Sequence, residues 1–318
     1  MADRSSIEWT DASWNPIRGC SRVSEGCRNC YAERVAARFS GPGQPYEGLA
    51  EMTAAGPRWT GTPRLVTERL EDPIRWRKPR RIFVNSMSDL FHEGLGADSI
   101  QAVVDVMVAA RRHSFQVLSK RAARMHELLP HMRIGGIKWM DAPPRNVWLG
   151  ISAEDQETAD ERVPYLLRTP AAVRWLSYEP ALGPIDLRDY LRGIDYRNTP
   201  GLDWVVVGGE SGPDARPFDI QWAVTTIDEC KRAGVACFVK QIGTRPFLPR
   251  PAGYGTWPDG IRFRSVGLAH GPDYPVSRWG RTWIEGLLDT KGSNPAEWPS
   301  DLRVREYPEL ELHRTAEK

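Results

Sequence analysis

Short apolar runs alternate with amphipathic stretches along the central part of the chain. The runs are rich in Val, Ile, Phe or Trp, which is typical of strands that are buried on both faces. They predict strands over Arg81–Asn85, Phe115–Ser119, Val147–Ser152, Val173–Ser177, Trp204–Gly208 and Ala236–Lys240. A further short strand is predicted upstream, over Ser13–Ile17.

Between these runs, apolar residues recur with the period of a helix. Helices are predicted over Tyr31–Phe39, Ser99–Arg112, Ala122–Leu129, Ala159–Arg168 and Ile220–Ala233. The last helix has Asp219 as its predicted N-cap and Gly234 as the residue that ends it. Strands that alternate with helices predict βαβ units and a parallel sheet. About seven such units favour an α/β fold of the partial or complete (β/α) barrel type over a doubly wound sheet.

Three segments interrupt the repeat. We expect a barrel domain over residues 1–243, with loop insertions at 41–63 and 133–145. Residues 244–318 are expected to form an irregular C-terminal extension packed on the barrel. Long excursions of this kind often carry binding loops, although plain surface insertions are equally common.

Composition limits the range of functions. The 318 residues carry 43 basic and 41 acidic side chains, so any contact with nucleic acid requires a local basic patch. The first residues lack an apolar segment and no long apolar run occurs, so we expect a cytoplasmic protein that does not span a membrane. Five unevenly spaced cysteines argue against a secreted disulfide framework.

Three of the cysteines form the most specific motif in the chain. Cys20, Cys27 and Cys30 follow the first predicted strand with the spacing Cys-x6-Cys-x2-Cys and directly precede a helix. In a parallel barrel this position is the C-terminal rim, where active sites lie. Three thiolates there can bind zinc or an iron–sulfur cluster with a fourth protein ligand, or a cluster with one open iron.

No fourth ligand is evident near the motif. The nearest histidine, His92, lies about sixty residues further along the chain. Cys230 falls in a predicted helix and Cys237 in a predicted strand, so we expect both to be core thiols. The sequence therefore favours the open site, while the fold can still bring a distant ligand to the cysteines.

The cysteine motif, with an aromatic residue beside its last cysteine, resembles the radical S-adenosylmethionine superfamily. The first gap is three residues longer than in the usual Cys-x3-Cys-x2-Cys spacing. Over residues 5–310 the chain looks like a phage and prophage family of radical-SAM-like proteins. The segments that carry this narrower resemblance, besides the cysteines, are Trp14-Asn-Pro, Ser177-Tyr-Glu-Pro, Gly208-Gly-Glu-Ser-Gly and Phe238-Val-Lys-Gln-Ile-Gly.

The resemblance implies that Cys20, Cys27 and Cys30 hold a [4Fe–4S] cluster whose open iron binds S-adenosylmethionine. It also implies a one-electron reductant of the flavodoxin or ferredoxin type. Reductive cleavage of the cofactor would yield a 5′-deoxyadenosyl radical, which abstracts hydrogen from a substrate carbon. The protein would hold the reacting groups in place and exclude water.

Polar residues follow every predicted strand, where the mouth of a barrel collects them. Under the resemblance, the candidates for binding S-adenosylmethionine are Asn85, Ser86, Asp89, Ser119, Lys120, Ser152, Glu154 and Glu210. Glu179 and Lys240 are the candidates for positioning substrate or moving protons. In the superfamily a Gly-Gly-Glu element after the second strand contacts the amine of the cofactor. Here Gly208-Gly-Glu follows the sixth strand, so the candidates for that contact are in the segment from Asn85 to Asp89, after the second strand. Singly, each residue is equally well explained as part of a solvated turn.

The basic stretch Arg75–Arg81, with its one Trp, suits the binding of phosphates and the stacking of a base, or is a solvated basic turn. Together with the thirteen tryptophans it favours a modified nucleobase or nucleic-acid-linked group as substrate, against an amino acid, a peptide or another small molecule. Two other functions stay open. One is a zinc-stabilised nucleic-acid-binding protein without redox chemistry, and the other is a barrel enzyme that uses its rim carboxylates.

Overall fold

A computed structural model describes residues 5, 7–193, 199–248, 255–256, 262–266, 281–284 and 287–308. Its main sheet has seven strands: β1 (Ala12–Trp14), β2 (Arg81–Val84), β3 (Ser114–Ser119), β4 (Val147–Ser152), β5 (Val173–Tyr178), β6 (Trp204–Gly208) and β7 (Ala236–Gln241). All are parallel, and each pairs with the next in the chain. This order is that of a (β/α) barrel. Among the described residues no pairing joins β1 to β7, so the sheet is a half-barrel and the predicted partial barrel is confirmed.

A helix lies between each pair of consecutive strands: α1 (Tyr31–Arg38), α2 (Ala97–Ala109), α3 (Ala122–Leu128), α4 (Gln156–Arg168), α5 (Arg188–Arg192) and α6 (Ile220–Ala233). Helix α6 has the predicted bounds, because Asp219 accepts the N–H of Gln221 at 2.9 Å and Gly234 is left-handed with φ +70°. Helix α4 begins earlier than predicted, because Asp155 and Thr158 form a capping box at its start.

The first strand differs from the prediction over Ser13–Ile17. Strand β1 ends at Trp14, and Ile17–Arg18 instead pairs antiparallel with Arg64–Leu65. Pro16 lies between the two strands, and a residue without an N–H cannot continue a ladder of hydrogen bonds. The chain therefore turns away from the sheet just before the first cysteine.

The predicted insertions contain small hairpins of their own. Ala50–Thr53 pairs with Gly56–Trp59 and packs against α1, and Arg133–Ile134 pairs with Ile137–Lys138. Two short helices, Thr67–Leu70 and Asp72–Arg75, lead into β2. Single turns of 3-10 helix occur at Glu25–Cys27, Leu129–His131, Pro295–Glu297 and Ser300–Leu302.

Part of the expected C-terminal extension forms a second sheet together with a short strand that directly precedes α6. Its five short strands are, in order, Phe218–Asp219, Pro246–Leu248, Arg281–Ile284, Arg262–Val266 and Gly255–Thr256. The rest of residues 249–286 and residues 309–318 lie outside the described part of the chain. No helix within the described ranges is both long and apolar enough to cross a lipid bilayer.

Both faces of the main sheet are buried, as the continuous apolar runs predicted. Side chains alternate across a strand, so each strand presents one row to the helices and the other to the concave inner face. In β6, Val205 and Val207 belong to the core beneath the helices, whereas Trp204 and Val206 belong to a separate core on the inner face.

Aromatic side chains fill the inner face near the N-terminal ends of the strands. This inner aromatic cluster consists of Trp9, Phe83, Trp148, Trp175, Trp204, Phe238 and Tyr307. The ring centroid of Trp9 lies 4.9 Å from that of Phe83 and 5.1 Å from that of Trp175. The tryptophans of the cluster are at most 4% exposed, so they are core residues and offer no surface on which a base could stack.

The C-terminal segment covers the free edge of β7. Val239 donates its N–H to Val304 at 2.9 Å, and Glu306 donates its N–H to Cys237 at 2.8 Å. Next in the chain, Tyr307 reaches the aromatic cluster. An otherwise exposed strand edge is thereby paired. The aromatic cluster thus closes the N-terminal end of the half-barrel. The polar residues that follow the strands lie at the opposite end, the C-terminal edge.

Candidate functional site

The cysteine loop, defined here as residues 19–30, lies at the C-terminal edge of the sheet. It begins at Gly19, which forms a bridge with Ser88 just after β2. It ends at Cys30, the N-cap residue of α1. Cys20, Cys27 and Cys30 are free thiols and partly exposed. Burial raises the pKa of Cys30, although backbone N–H groups at the start of α1 oppose the shift.

A buried carboxylate after β4 holds the middle of the loop. Glu154 accepts a hydrogen bond from Ser24 at 2.9 Å and pairs with Lys120 at 3.0 Å and Arg162 at 3.1 Å. Burial alone would raise the pKa of Glu154, but the two cations outweigh it and the pKa is lowered. A Cβ on Gly26 would lie 2.1 Å from Glu154 Oε1, so the loop can approach the carboxylate this closely only with a glycine there.

A second carboxylate, after β6, holds the end of the loop. Glu210 Oε2 accepts a hydrogen bond from Asn29 Nδ2 at 3.0 Å. Arg216 grips the same carboxylate through Nη2 at 2.9 Å, Nε at 3.0 Å and its backbone N–H at 2.9 Å. Burial opposes ionisation, yet the bonds from Arg216 keep the pKa of Glu210 below its ordinary value.

An arginine after β3 holds the beginning of the loop. Arg121 donates to Ser21 Oγ at 2.7 Å, Asp89 Oδ2 at 3.2 Å and Glu93 Oε2 at 2.8 Å. Its Nη1 also lies 4.0 Å from the Sγ of Cys20. Burial, reinforced by the charge of Asp89 and opposed by Arg121, raises the pKa of Cys20 to about 12.

Both carboxylate oxygens of Asp89, the partner of Arg121, accept hydrogen bonds from other protein groups. Its Oδ1 accepts from Ser119 Oγ at 2.7 Å and from the N–H of Phe91 at 2.9 Å. Its Oδ2 accepts the N–H of Lys120 at 3.0 Å, besides the bond from Arg121. Five of the residues predicted to bind cofactor thus bond to other side chains of this chain, around the cysteine loop. They are Asp89, Ser119, Lys120, Glu154 and Glu210.

Asn85 differs from these residues because it has a donor to spare. It follows β2 in a left-handed conformation with φ +60°, which is rare for a residue other than glycine. Its Oδ1 accepts the N–H of Ile17 at 3.2 Å, but its buried Nδ2 has no hydrogen-bond partner within the described residues. Buried polar groups are normally bonded, so this donor is available to a ligand or to an ordered water. The neighbouring Ser86 donates to Asn15 Oδ1 at 3.1 Å.

The two residues predicted to act on substrate lie together. Lys240 Nζ and Glu179 Oε1, at the ends of β7 and β5, form a direct ion pair, and both side chains are about one-fifth exposed. Ser152, predicted to bind the cofactor, is buried at the end of β4, where its carbonyl accepts from Arg162 at 2.8 Å.

A family model described as "Protein of unknown function (DUF5131)" matches residues 4–255. The chain belongs to the DUF5131 family. No curated protein and no solved structure matches it. The match covers the cysteine loop and all seven strands of the half-barrel, so both are features of the part that defines family membership.

Among the residues that the structure describes, no side chain is in place as a fourth ligand for the cysteines. His92 reaches the cysteine loop, but its Nδ1 accepts the N–H of Gly94 at 3.0 Å and its Nε2 bonds Ser21 Oγ at 2.9 Å. Cys230 and Cys237 are buried between α6 and β7, as predicted for core thiols. In the described part of the chain, no three His, Cys, Asp or Glu side chains are grouped as a metal site.

The donor chemistry of the site nevertheless suits an iron–sulfur cluster with an open iron. Three sulfurs belong to one loop, and a guanidinium faces one of them. After β2, the buried Nδ2 of Asn85 has no partner within the described part of the chain. Burial favours the protonated thiols of Cys20 and Cys30, so the binding of metal has to displace their protons. Metal affinity should therefore increase with pH.

The basic stretch Arg75–Arg81 is not part of this site. It precedes β2 and so lies at the opposite end of the sheet from the cysteine loop. Within it, the guanidinium of Arg80 lies 4.9 Å from the ring centroid of Trp76, and Arg81 pairs with Asp11 at 3.2 Å. Any phosphate bound there would be remote from the cysteines.

Sequence reasoning did not include the arginines that organise the site. Arg162 lies in the apolar stripe of α4, between the buried residues Ala159, Val163 and Leu166. A cation in such a stripe indicates a buried acidic partner, because an unpaired buried charge is very costly. The position of Arg162 in the sequence thus predicts a buried carboxylate partner, but only the fold shows that this partner is Glu154.

Proposed function

We propose that the chain is a radical S-adenosylmethionine enzyme in which Cys20, Cys27 and Cys30 bind a [4Fe–4S] cluster. The observation that carries the proposal is the place of the cysteine loop. It lies over the C-terminal edge of a parallel half-barrel and is bonded to residues that follow β3, β4 and β6. Enzymes with parallel (β/α) barrels assemble their active sites at this edge.

The cofactor would bind on the side of the cysteines that the protein leaves without a fourth ligand. Bound there with the cluster, and given one electron by a flavodoxin or ferredoxin, S-adenosylmethionine would supply a 5′-deoxyadenosyl radical able to take hydrogen from a substrate carbon. The free Nδ2 of Asn85 is a suitable donor to the methionyl carboxylate of the cofactor. The carboxylates of Glu154 and Glu210 keep the loop in position for this contact.

The substrate would lie beside the ion pair of Glu179 and Lys240. A paired carboxylate and ammonium can exchange their mutual contact for a donor and an acceptor of the substrate, and Lys240 Nζ can hold or release a proton. Below, the inner aromatic cluster closes the N-terminal end and excludes water from that side. The inner aromatic cluster and the basic stretch do not add support for a nucleobase, because the tryptophans of the cluster are buried and the basic stretch lies at the opposite end of the sheet.

The test begins with protein purified without oxygen and reconstituted with iron and sulfide. We expect about four irons and four sulfides per chain, a brown colour that dithionite bleaches, and 5′-deoxyadenosine formed from S-adenosylmethionine. Cys27→Ala should lose the cluster and the cofactor cleavage together. The matched control is Cys230→Ala, which removes a core thiol and should retain both.

Two results would refute the proposal. One is zinc without visible absorbance after reconstitution, which would favour a zinc-stabilised binding protein. The other is full iron content and cleavage in Cys27→Ala, which would assign the cluster to other ligands.

A further inference from the structure

We propose that Arg121 sets the reduction potential of the cluster by donating an N–H to the sulfur of Cys20. This inference rests on the proposed function, because it concerns the same cluster. Arg121 is therefore a positioning residue that acts through Cys20 and has no direct contact with the substrate.

Each of the three guanidinium nitrogens of Arg121 donates at least one hydrogen bond to a neighbouring protein group. Its side chain is 4% exposed, and Nε donates to Glu93 while Nη2 donates to Ser21 Oγ at 2.7 Å and to the Ser21 carbonyl at 3.4 Å. Nη1 faces Asp89 Oδ2 at 3.2 Å and Cys20 Sγ at 4.0 Å. The guanidinium that faces the sulfur thus belongs to a buried side chain, which the buried bond to Asp89 and the bonds to Ser21 hold in place.

The direction of the effect follows from charge. Reduction adds an electron to the cluster, and an N–H group aimed at a ligand sulfur stabilises the more negative state. Arg121 should accordingly raise the reduction potential. Asp89 and Glu93 offset much of its net charge at long range, so the directed N–H at Cys20 is the main contribution. Lysine cannot replace it fully, because a single ammonium cannot bond Ser21, Asp89 and Glu93 in the geometry of the guanidinium fork.

The experiment is a redox titration of the reconstituted protein, monitored by electron paramagnetic resonance. In Arg121→Gln we expect about a tenfold lower ratio of reduced to oxidised cluster at a given potential, which is a shift of about 59 mV for one electron. Arg121→Lys should show a smaller shift in the same direction. The control is Arg124→Lys, three residues further along, whose guanidinium bonds the carbonyl of Leu95 at 2.8 Å and should not affect the potential.

Arg121→Gln leaves Asp89 buried without its cation, so the double variant Arg121→Gln/Asp89→Asn is measured beside it. A normal cluster content with an unchanged potential in both variants overturns this inference and leaves the proposed function intact. A shift in Arg124→Lys equal to that in Arg121→Gln also overturns it, because the effect would then not be specific to Cys20. Wild-type protein that binds no iron overturns the inference together with the proposed function.

Discussion

The two ends of the half-barrel are stabilised by opposite kinds of interaction. At the N-terminal end, rings contact rings, and the indole N–H groups of Trp9, Trp148 and Trp175 have no partner within the described residues. At the C-terminal edge, buried carboxylates such as Glu154 and Glu210 meet arginines through short, directed bonds. Burial of apolar surface stabilises the fold without requiring a particular geometry. A buried ion pair fixes the geometry of its two side chains, and loss of one partner leaves the other as an uncompensated charge. The aromatic end should therefore govern stability, and the charged edge the shape of the cysteine loop.

The largest effect is expected at the aromatic end. Trp9→Ala should lower the free energy of unfolding by about 3–5 kcal/mol, because it leaves a cavity among buried rings. The iron content of the folded variant should not change. Urea denaturation and an iron assay measure the two effects, and Trp9→Phe should recover part of the stability. A loss of iron with full stability would contradict the division between the two ends.

Glu154→Gln tests the charged edge. It should cost about 3 kcal/mol of unfolding free energy, because Arg162 and Lys120 lose the buried carboxylate that they share. Unlike Trp9→Ala, it should also reduce the cluster content. The control is Glu161→Gln, an exposed carboxylate 3.6 Å from the same arginine, which should change stability by less than about 0.5 kcal/mol. Equal losses in both variants would show that burial of the pair is unimportant.

Gly26→Ala tests the same edge through the backbone. The added Cβ must displace either the loop or the Glu154 carboxylate, so we expect a cost of about 1–3 kcal/mol and weaker cluster binding. Gly41→Ala is the control, since its Cβ would meet only the side chain of Gln44, at 3.7 Å. Unimpaired cluster binding in Gly26→Ala would mean that the loop does not need its close approach to Glu154.

The smallest effect is a dependence on pH. The folded pKa of Glu210 lies below its ordinary 4.5, so its stabilisation is complete above that pH and declines as the pH falls through the folded value. Glu154 has the same sign. The free energy of unfolding should thus fall below about pH 4.5, and less steeply in Glu210→Gln. If the free energy of unfolding of this variant falls with pH as steeply as that of the wild type, Glu210 does not contribute to the loss of stability in acid.

Most of the scaffold could be predicted because its signals are local. Strand β4 has its predicted bounds, and α6 has both its predicted bounds and its predicted caps. The prediction over Ser13–Ile17 was wrong because Pro16 has no N–H to continue the strand, which ends at Trp14. Local signals also identified the three cysteines and the polar residues that follow each strand.

The partners within the site could not be predicted. Glu154 was predicted to bind the cofactor, yet the fold surrounds it with Lys120, Arg162 and Ser24, which lie up to 130 residues away in the chain. Glu179 and Lys240 were predicted to act at one mouth, and their direct pairing joins the ends of two strands that have β6 between them. Side-chain charge shows that a partner is needed, but not which one.

The sequence by itself determined the alternation of strands and helices, the parallel sheet and the cysteine loop at its C-terminal edge. These follow from periodicity, chain direction and residue spacing, which require no knowledge of distant contacts. Only the tertiary structure decided that the sheet is a half-barrel and that an aromatic cluster closes one end. It also decided that Asn85 Nδ2 has no partner within the described residues, while the polar side chains around it are bonded. Those features depend on which side chains meet across the fold, and the free energy of burying a polar group is settled by the partner it finds there.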